Sequence, residues 1–187
     1  MVRFNTRAWI TQNEAGCHAK YAKNASGDIV EVGTFRGGGT EILRQNCPAR
    51  HVVWSVDLYV HPEGENPKTV HDYLRGYDDV FLVVGDSSKV GKRWGKPISL
   101  LVIDADHTYE GTKADFEAFS PCVSSRGVLI LHDAANSGKS YQVLLGDRAI
   151  SAGACMGVVQ FRKELERNRK WKLIETVDTM AVFQRKS

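Results

Sequence analysis

Short apolar runs alternate along this chain with longer segments of mixed polarity, and each run ends in a polar or glycine-containing turn. Runs of this kind are typical of strands that are buried on both faces of a parallel sheet. They predict five strands, near Asp28–Val32, His51–Val56, Val80–Val84, Ser99–Ile103 and Gly127–Leu131. The alternation of strands with helical segments predicts an α/β protein with one doubly wound, Rossmann-like sheet.

The last third of the chain has a different pattern. We expect a short helix at Tyr141–Ala149 and a second one at Val158–Arg169. Trp171–Val177 and Thr179–Gln184 then read as two strands joined by a tight turn at Asp178, which predicts an antiparallel pair. The whole sheet is therefore expected to have seven mostly parallel strands and to end in an antiparallel hairpin.

The five predicted parallel strands end at residues suited to ligand binding. In an open α/β sheet, ligands bind beyond the carboxyl ends of the strands. We therefore expect these turns to border one crevice. They are Gly33, Asp57, Gly85-Asp86, Asp104-Ala105-Asp106 and His132-Asp133.

Length and composition indicate one domain. The chain has 187 residues, of which 42% are hydrophobic, enough for one core and too few for two. We divide it into a helical lead-in over the crevice (1–26), a ligand-binding core (28–133) and C-terminal helices with a hairpin (134–187). No apolar run is long enough to span a membrane, and no signal core follows the first arginines, so we expect a cytoplasmic protein.

The net charge is +3, and the basic residues are concentrated late in the chain. We interpret this basic stretch as a solvated helix face, with a nucleic-acid surface as the alternative. It contains Arg162, Lys163, Arg167, Arg169, Lys170 and Lys172. The four cysteines are far apart with no C-x-x-C pair, which suggests reduced thiols and neither a zinc site nor a redox motif.

Over residues 28–39 an apolar strand is followed by several glycines. Because glycine has no Cβ, a ligand can lie close to the backbone there. The nicotinamide fingerprint G-x-G-x-x-G does not fit this loop. Counted from Gly33 it requires glycine where the chain has Phe35, and counted from Gly37 it fails at Ile42. A nicotinamide-dependent oxidoreductase is therefore disfavoured.

The phosphate-binding loop also fails, because its match at 138–140 would place its first glycine at Asp133, whose carboxylate repels phosphate. What remains is the pattern acid-x-Gly-x-x-x-Gly from Glu31 to Gly37, with Asp57 at the end of the next apolar run. This pattern resembles the cofactor loop of class I S-adenosylmethionine (SAM)-dependent methyltransferases.

The resemblance implies a role for each strand end. The methionyl part of SAM would lie on Gly33 and Gly37, with Glu31 facing its amino group. Asp57 would accept both ribose hydroxyls. At the third strand end, Asp86 would accept from the adenine amino group and Ser87 would donate to the ring, unless the two form an ordinary turn and helix cap. The predicted cofactor-binding residues are Glu31, Gly33, Thr34, Phe35, Gly37, Asp57, Asp86, Ser87 and Asp104.

Two acidic clusters follow the fourth and fifth strands. Asp104, Asp106 and His107 lie within four positions of a buried strand end, where uncompensated charge is costly unless something binds there. His132-Asp133 ends the next strand. If both strands open into one crevice, Asp104 and Asp133 would repel each other unless a cation lies between them. Oxygen ligands of this kind suit magnesium or calcium.

The segments Ile103–Gly111 and Arg126–Asp133 narrow the resemblance, since they are similar to the methyltransferase group that includes macrocin O-methyltransferase and the cephalosporin hydroxylase-like proteins. The resemblance implies a divalent metal that holds the acceptor hydroxyls. Asp104 and Asp133 would be its ligands.

By the same resemblance, Asp106 or His107 would be the general base. The chain departs from the pattern at His132, where metal-dependent members usually have another acid. We keep His132 as a predicted ligand, although magnesium prefers oxygen.

We therefore expect O-methylation of a hydroxyl on a small molecule or sugar, with SAM as donor and magnesium as the candidate metal. The acceptor pocket would come from 59–67 and 134–141, with contacts in a homo-oligomer as a further source. Two alternatives stay open. One is a nucleic-acid methyltransferase that uses the basic stretch, and the other is a cofactor-binding protein of the same fold without turnover. No membrane partner is expected.

Overall fold

The computed structural model describes residues 8–136, 138–145 and 148–187. The strands are β1 (Ile29–Val32), β2 (Val53–Asp57), β3 (Val80–Val84), β4 (Ile98–Ile103), β5 (Val123–Leu131), β6 (Ser140–Leu145), β7 (Arg148–Gly153), β8 (Trp171–Val177) and β9 (Met180–Arg185). The helices are α1 (Gln12–Lys23), α2 (Gly38–Asn46), α3 (Pro67–Tyr73), α4 (Ser87–Lys92), α5 (Tyr109–Phe119) and α6 (Met156–Leu165), and a 3-10 turn covers Ser120–Cys122. No helix in these ranges combines the length and apolar character needed to cross a bilayer.

Seven strands form one sheet in the order β3-β2-β1-β4-β5-β9-β8. Strands β1 to β5 run parallel, and β9 pairs antiparallel with both β5 and β8. This confirms the predicted α/β Rossmann-like fold with its antiparallel C-terminal hairpin. The strand order changes direction between β1 and β4, and the crevice beyond such a switch point is where open α/β sheets bind ligands.

Apolar side chains cover both faces of the sheet. On one face, α1 and α2 bury Ala15, Ile42 and Leu43 against the strands. On the other, α5 and α6 bury Phe119 and Phe161. Strand β4 is buried along its whole length, as its continuous apolar sequence requires. The two layers hold the carboxyl ends of the strands in fixed positions.

The predicted helix at Tyr141–Ala149 is wrong. Strands β6 and β7 form an antiparallel pair of their own there, in a register that places Leu145 opposite Arg148. The sequence did contain a signal for this, because the dipeptide Gly146-Asp147 between two strand-like runs favours a two-residue hairpin. We predicted a helix from an apolar spacing too short to separate the two structures.

The second predicted C-terminal helix and the helical lead-in are close to their predicted positions. The second C-terminal helix, α6, begins two residues before Val158 and ends at Leu165. Within the predicted lead-in, α1 begins after Thr11, which forms a capping box with Glu14. The first part of the lead-in, 1–7, lies outside the described residues.

Candidate active site

The five strand ends meet at one cavity of about 950 Å³, as the sequence predicted. Gly33, Asp57, Asp86, Asp104 and Asp133 each line it, one from each parallel strand. Of the other predicted residues, those at the cavity wall are Glu31, Thr34, Phe35, Ser87, Asp106, His107 and His132. The cavity is of the size that small-molecule sites have, roughly 300–1,000 Å³.

The glycine loop after β1 depends on its glycines for two reasons. Gly33 and Gly37 have φ values of 96° and 85°, a region that side chains with a Cβ rarely adopt. In addition, a Cβ on Gly33 would overlap the carbonyl oxygen of Asp104. The loop therefore lies directly against the end of β4, and Gly37 leads into α2 as its N-cap.

Asp57 organises this loop from the end of β2. Its Oδ2 accepts hydrogen bonds from the backbone N–H groups of Thr34 (2.7 Å) and Phe35 (3.0 Å). Its Oδ1 accepts from the N–H of Tyr59 at 2.6 Å. The carboxylate thus ties two strand ends together at the cavity wall. Its contact with a ribose stays a prediction.

Glu31 lies beneath the loop with only 3% of its surface exposed. Ser55 Oγ is 2.6 Å from its Oε2, and the hydroxyl of Thr40 also bonds to it. Burial raises the pKa of Glu31 to about 8 against the opposing effect of these hydroxyls. The side chain is therefore mostly protonated at neutral pH. Glu31 lines the cavity, as its predicted role requires. Its contact with the amino group of the cofactor stays a prediction.

Asp86 and Ser87 have partners within the protein. Asp86 is the N-cap of α4 and accepts from the Lys89 N–H at 3.2 Å. Ser87 donates to Asp115, whose pKa burial raises to about 6. Asp86 and Ser87 thus form the ordinary turn and helix cap that was the alternative to a role in adenine binding. Contact of either residue with adenine stays a prediction.

The second half of the cavity wall concentrates charge. His107 Nε2 lies 3.3 Å from Asp104 Oδ1 and 3.7 Å from Asp133 Oδ2. His132 Nδ1 lies 3.2 Å from Asp104 Oδ1 and 3.3 Å from Asp133 Oδ1. Two imidazole rings therefore alternate with two carboxylates. This is the approach of Asp104 and Asp133 that the sequence predicted.

His132 is enclosed by a third acid that the sequence did not reveal. Glu14, from α1, is fully buried, and its Oε2 lies 3.5 Å from His132 Nε2. Burial alone would lower the pKa of His132, but attraction to Asp104 and the proximity of the Asp133 and Glu14 carboxylates raise it well above its usual value. Burial likewise opposes the ionisation of Glu14, yet His132 brings its pKa down to about 2. His132 is thus an imidazolium among carboxylates.

We tested whether Asp104, His132 and Asp133 fit the predicted magnesium ion. Their donor atoms lie within 4.8 Å of one another, but one of the three is a ring nitrogen. Magnesium demands an octahedral set of oxygens. The His132 cation already lies between the two carboxylates and neutralises part of their charge. His132 therefore does not fit as a magnesium ligand, whereas the carboxylates of Asp104 and Asp133 are donors of the kind that magnesium takes, and the magnesium ion stays a prediction.

The two predicted bases differ in orientation. Asp106 Oδ1 accepts from the Thr108 N–H at 2.8 Å, and its carboxyl group packs against Gly111 at the start of α5. Asp106 therefore acts as a turn-forming residue. His107 instead contacts Asp104, which raises the pKa of the imidazole despite partial burial. Since a carboxylate only accepts, Nε2 carries the proton towards Asp104 and leaves Nδ1 as the basic atom.

Three residues in or behind this wall were missed. Cys155 Sγ lies 3.5 Å from His107 Nδ1 and 3.6 Å from Asp133 Oδ2. His18, from α1, lines the cavity, and burial lowers its pKa to about 4. Glu14 is the third. All three lie far in sequence from the residues that they approach, so no local sequence motif indicates these contacts.

A parallel sheet with this strand order, a glycine loop against β4 and acids at the strand ends together define a Rossmann-like methyltransferase architecture. Residues 30–134 match the methyltransferase domain family. The chain belongs to that family. The class I methyltransferase predicted from the sequence is thus confirmed as to family and fold.

A curated relative is an uncharacterised protein, R132, of Acanthamoeba polyphaga mimivirus, which is 28% identical over 127 residues. That match covers 62% of this chain and 55% of the relative, so the chain spans about half the length of the curated relative that it matches.

Two solved structures share the fold. The O-methyltransferase NovP superposes with a TM-score of 0.72 at 19% identity, over 98% of this chain and 84% of NovP. The O-methyltransferase TomG from Streptomyces achromogenes, involved in tomaymycin synthesis and solved in complex with SAM, gives a TM-score of 0.68 at 15% identity, over 95% of this chain and 82% of TomG.

Proposed function

We propose that this protein transfers the methyl group of SAM to a hydroxyl of a small molecule or sugar. One observation carries the proposal: the Gly33 loop and the Asp104–His107 pair face the same cavity. A donor held on the loop would present its methyl group to an acceptor beside His107. The names of NovP and TomG as O-methyltransferases agree with this chemistry.

The cofactor would bind along the first half of the cavity. Its methionyl part would lie on Gly33, with the amino group near Glu31. Its ribose would reach the carboxylate of Asp57, and its adenine the turn at Asp86. Each of these residues lines the cavity wall. The loop hydrogen bonds of Asp57 keep this half in place before the cofactor enters.

Methyl transfer is an in-line displacement. The acceptor oxygen forms a bond to the methyl carbon as the carbon–sulfur bond breaks, and the electron pair of that bond goes to sulfur. The sulfonium becomes a neutral thioether. His107 Nδ1 takes the hydroxyl proton, while Asp104 stabilises the imidazolium that forms. Alignment of donor and acceptor supplies most of the remaining rate enhancement.

These steps need no metal ion, and His132, one of the predicted magnesium ligands, offers a ring nitrogen instead of an oxygen. The nucleic-acid alternative is also weaker than the small-molecule one. Within the basic stretch, Arg162 pairs with Glu166 at 2.5 Å, and the stretch contributes no residue to the cavity wall. Strong salt dependence of binding to RNA or DNA would favour that alternative.

The test combines calorimetry with an assay for the demethylated cofactor over a panel of hydroxylated acceptors. We expect SAM to bind and product to form after treatment with a chelator. We expect His107→Ala to lower kcat by about 10²- to 10⁴-fold, the usual contribution of a general base, with SAM affinity within about twofold of the wild type. The exposed His71→Ala is the control.

Two results would count against the proposal. Absence of SAM binding would remove the transferase function. SAM binding without product from any acceptor, unchanged by His107→Ala, would support the non-catalytic alternative.

A further inference from the structure

Three different donor atoms converge at the acceptor end of the cavity. They come from His107, Asp133 and Cys155, and one ligand atom from each residue lies within 4.8 Å of the other two. Sγ is 3.5 Å from Nδ1 and 3.6 Å from Oδ2. This set of a nitrogen, an oxygen and a sulfur shares Asp133 with the Asp104–His132–Asp133 group but adds a thiol and a different ring.

The fold holds these donors together with backbone contacts. The Cys155 N–H donates to the Asp133 carbonyl oxygen at 2.8 Å, which joins the segment after β7 to the end of β5. Asp133 has φ of 52°, a strained value for a residue with a side chain. A Cβ on Gly157 would lie 2.6 Å from the His107 carbonyl oxygen, so α6 begins in close contact with the turn that carries His107. The backbone segments that carry the three side chains are thus held together by the fold itself.

The spacing matches ligands on one tetrahedral ion. Zinc binds thiolate sulfur at about 2.3 Å and imidazole nitrogen or carboxylate oxygen at about 2.0–2.2 Å, so tetrahedral angles place sulfur roughly 3.6 Å from either partner. The two observed sulfur distances agree with this value. Zinc also accepts this mixture of nitrogen, oxygen and sulfur, whereas magnesium does not.

We propose that His107, Asp133 and Cys155 form a zinc site whose fourth position opens into the cavity. Three protein ligands with one open position is the arrangement of zinc sites that bind a water or a substrate oxygen. On binding, the zinc–sulfur bond forms as the S–H bond breaks, and the thiol proton passes to solvent. The site goes beyond the proposed methyl transfer and does not require it.

Zinc would, however, affect that reaction. The Nδ1 lone pair that would bind zinc is the one that the proposed function assigns to proton removal. Zinc is therefore expected to slow methyl transfer without displacing SAM, which would lie in the other half of the cavity. This consequence rests on the proposed function, but zinc binding itself does not.

The experiment uses cobalt as a spectroscopic probe of the whole 187-residue chain. Thiolate bound to Co²⁺ gives a charge-transfer band in the near ultraviolet, and added Zn²⁺ should remove it by competition. We expect the band in the wild type and its loss in Cys155→Ser, with zinc binding weakened at least tenfold. His107→Ala should also weaken zinc binding.

Cys122→Ser is the matched control. Cys122 is also a half-buried free thiol, but its Sγ donates to the Trp94 carbonyl oxygen, remote from this site. We expect this variant to keep the band. Thermal unfolding and SAM calorimetry check that each variant is folded.

A wild type that binds SAM but shows no sulfur–cobalt band would overturn the zinc site and leave the proposed function intact. A band that survives Cys155→Ser would equally overturn it. A band without SAM binding would do the reverse, since the zinc site would stand and the transferase would fall.

Discussion

The two halves of the cavity are built on opposite principles. The cofactor half comes mainly from one continuous segment, β1 to β2, with the turn after β3, and its central polar groups bond to one another: Asp57 to loop N–H groups, and Glu31 to hydroxyls. The acceptor half joins α1, β4, β5 and the segment before α6. There, neither nitrogen of His132 meets hydrogen-bond geometry with any partner that the structure describes.

The difference shows what each half is suited for. A wall whose polar groups are hydrogen-bonded to one another is a rigid surface, suited to binding one invariant cofactor. A wall of alternating acids and imidazoles, held by charge attraction, keeps basic and cationic atoms available for chemistry. Substitutions in the first half should therefore act on cofactor binding and folding, and those in the second half on charge balance and turnover.

The largest effect is expected for Gly33→Ala. Gly33 has a positive φ, which alanine rarely adopts, and the new Cβ would overlap the Asp104 carbonyl oxygen. The loop or the end of β4 must therefore move. We expect loss of measurable SAM binding by calorimetry. We also expect destabilisation of several kcal/mol by denaturant unfolding, in the upper range for single substitutions.

Gly16→Ala is the control for this change. Gly16 lies inside α1 with nothing within 4 Å of a new Cβ, so alanine should stabilise the protein by up to about 1 kcal/mol. SAM binding by Gly33→Ala at wild-type strength would contradict the assignment of the loop as the cofactor floor.

An effect of about 3 kcal/mol is expected for Glu14→Gln in the acceptor half. Glu14 is fully buried beside the His132 cation, and it also accepts from the N–H and hydroxyl of Thr179. Removing one partner of a buried ion pair usually costs about 3–5 kcal/mol, and the amide keeps part of the hydrogen bonding. Urea unfolding at neutral pH measures the change.

Glu175→Gln is the matched control, because it removes an acid from a surface pair. Glu175 bonds to Lys20 at 2.6 Å with about a third of its side chain exposed, and such pairs contribute less than about 1 kcal/mol. If the two variants lose equal stability, Glu14 has no special role in holding His132.

The contrast between the halves also explains which features were predictable. Gly33, Gly37 and Asp57 lie in one βαβ unit, where strand periodicity and turn chemistry fix the geometry locally. Their convergence on the cavity followed from the rule that parallel strands end at one edge. Asp104 and Asp133 were found by the same rule.

The acceptor half was only partly predictable. Glu14 is 118 positions from His132 along the chain, and its approach depends on how α1 packs against α2 and the sheet. Cys155 reaches His107 through the β6–β7 hairpin, a region predicted as helix. Contacts made by packing between distant elements leave no periodic or motif signal, so the zinc-type donor set was not anticipated.

The smallest expected effect is a change of stability with pH that comes from Glu31 in the cofactor half. Burial raises the pKa of Glu31 in the folded protein to about 8 from a reference value of 4.5. A raised pKa gives stability that is fully present below pH 4.5 and is lost as the pH rises through 8. For one proton, the expected loss between pH 7 and pH 8 is about 1 kcal/mol.

Glu31→Gln should not show this loss, because the amide mimics the protonated acid and cannot ionise. The measurement is urea unfolding of both proteins at the two pH values, and the decisive quantity is the difference between their pH slopes, since His107 and His132 titrate alike in both. Glu175→Gln should follow the wild type, as its acid lies at the surface. Equal slopes for the wild type and Glu31→Gln would mean that Glu31 is already ionised at neutral pH. The cofactor half would then hold a buried charge at Glu31, and the contrast between its neutral buried acid and the charged acids of the acceptor half would fail.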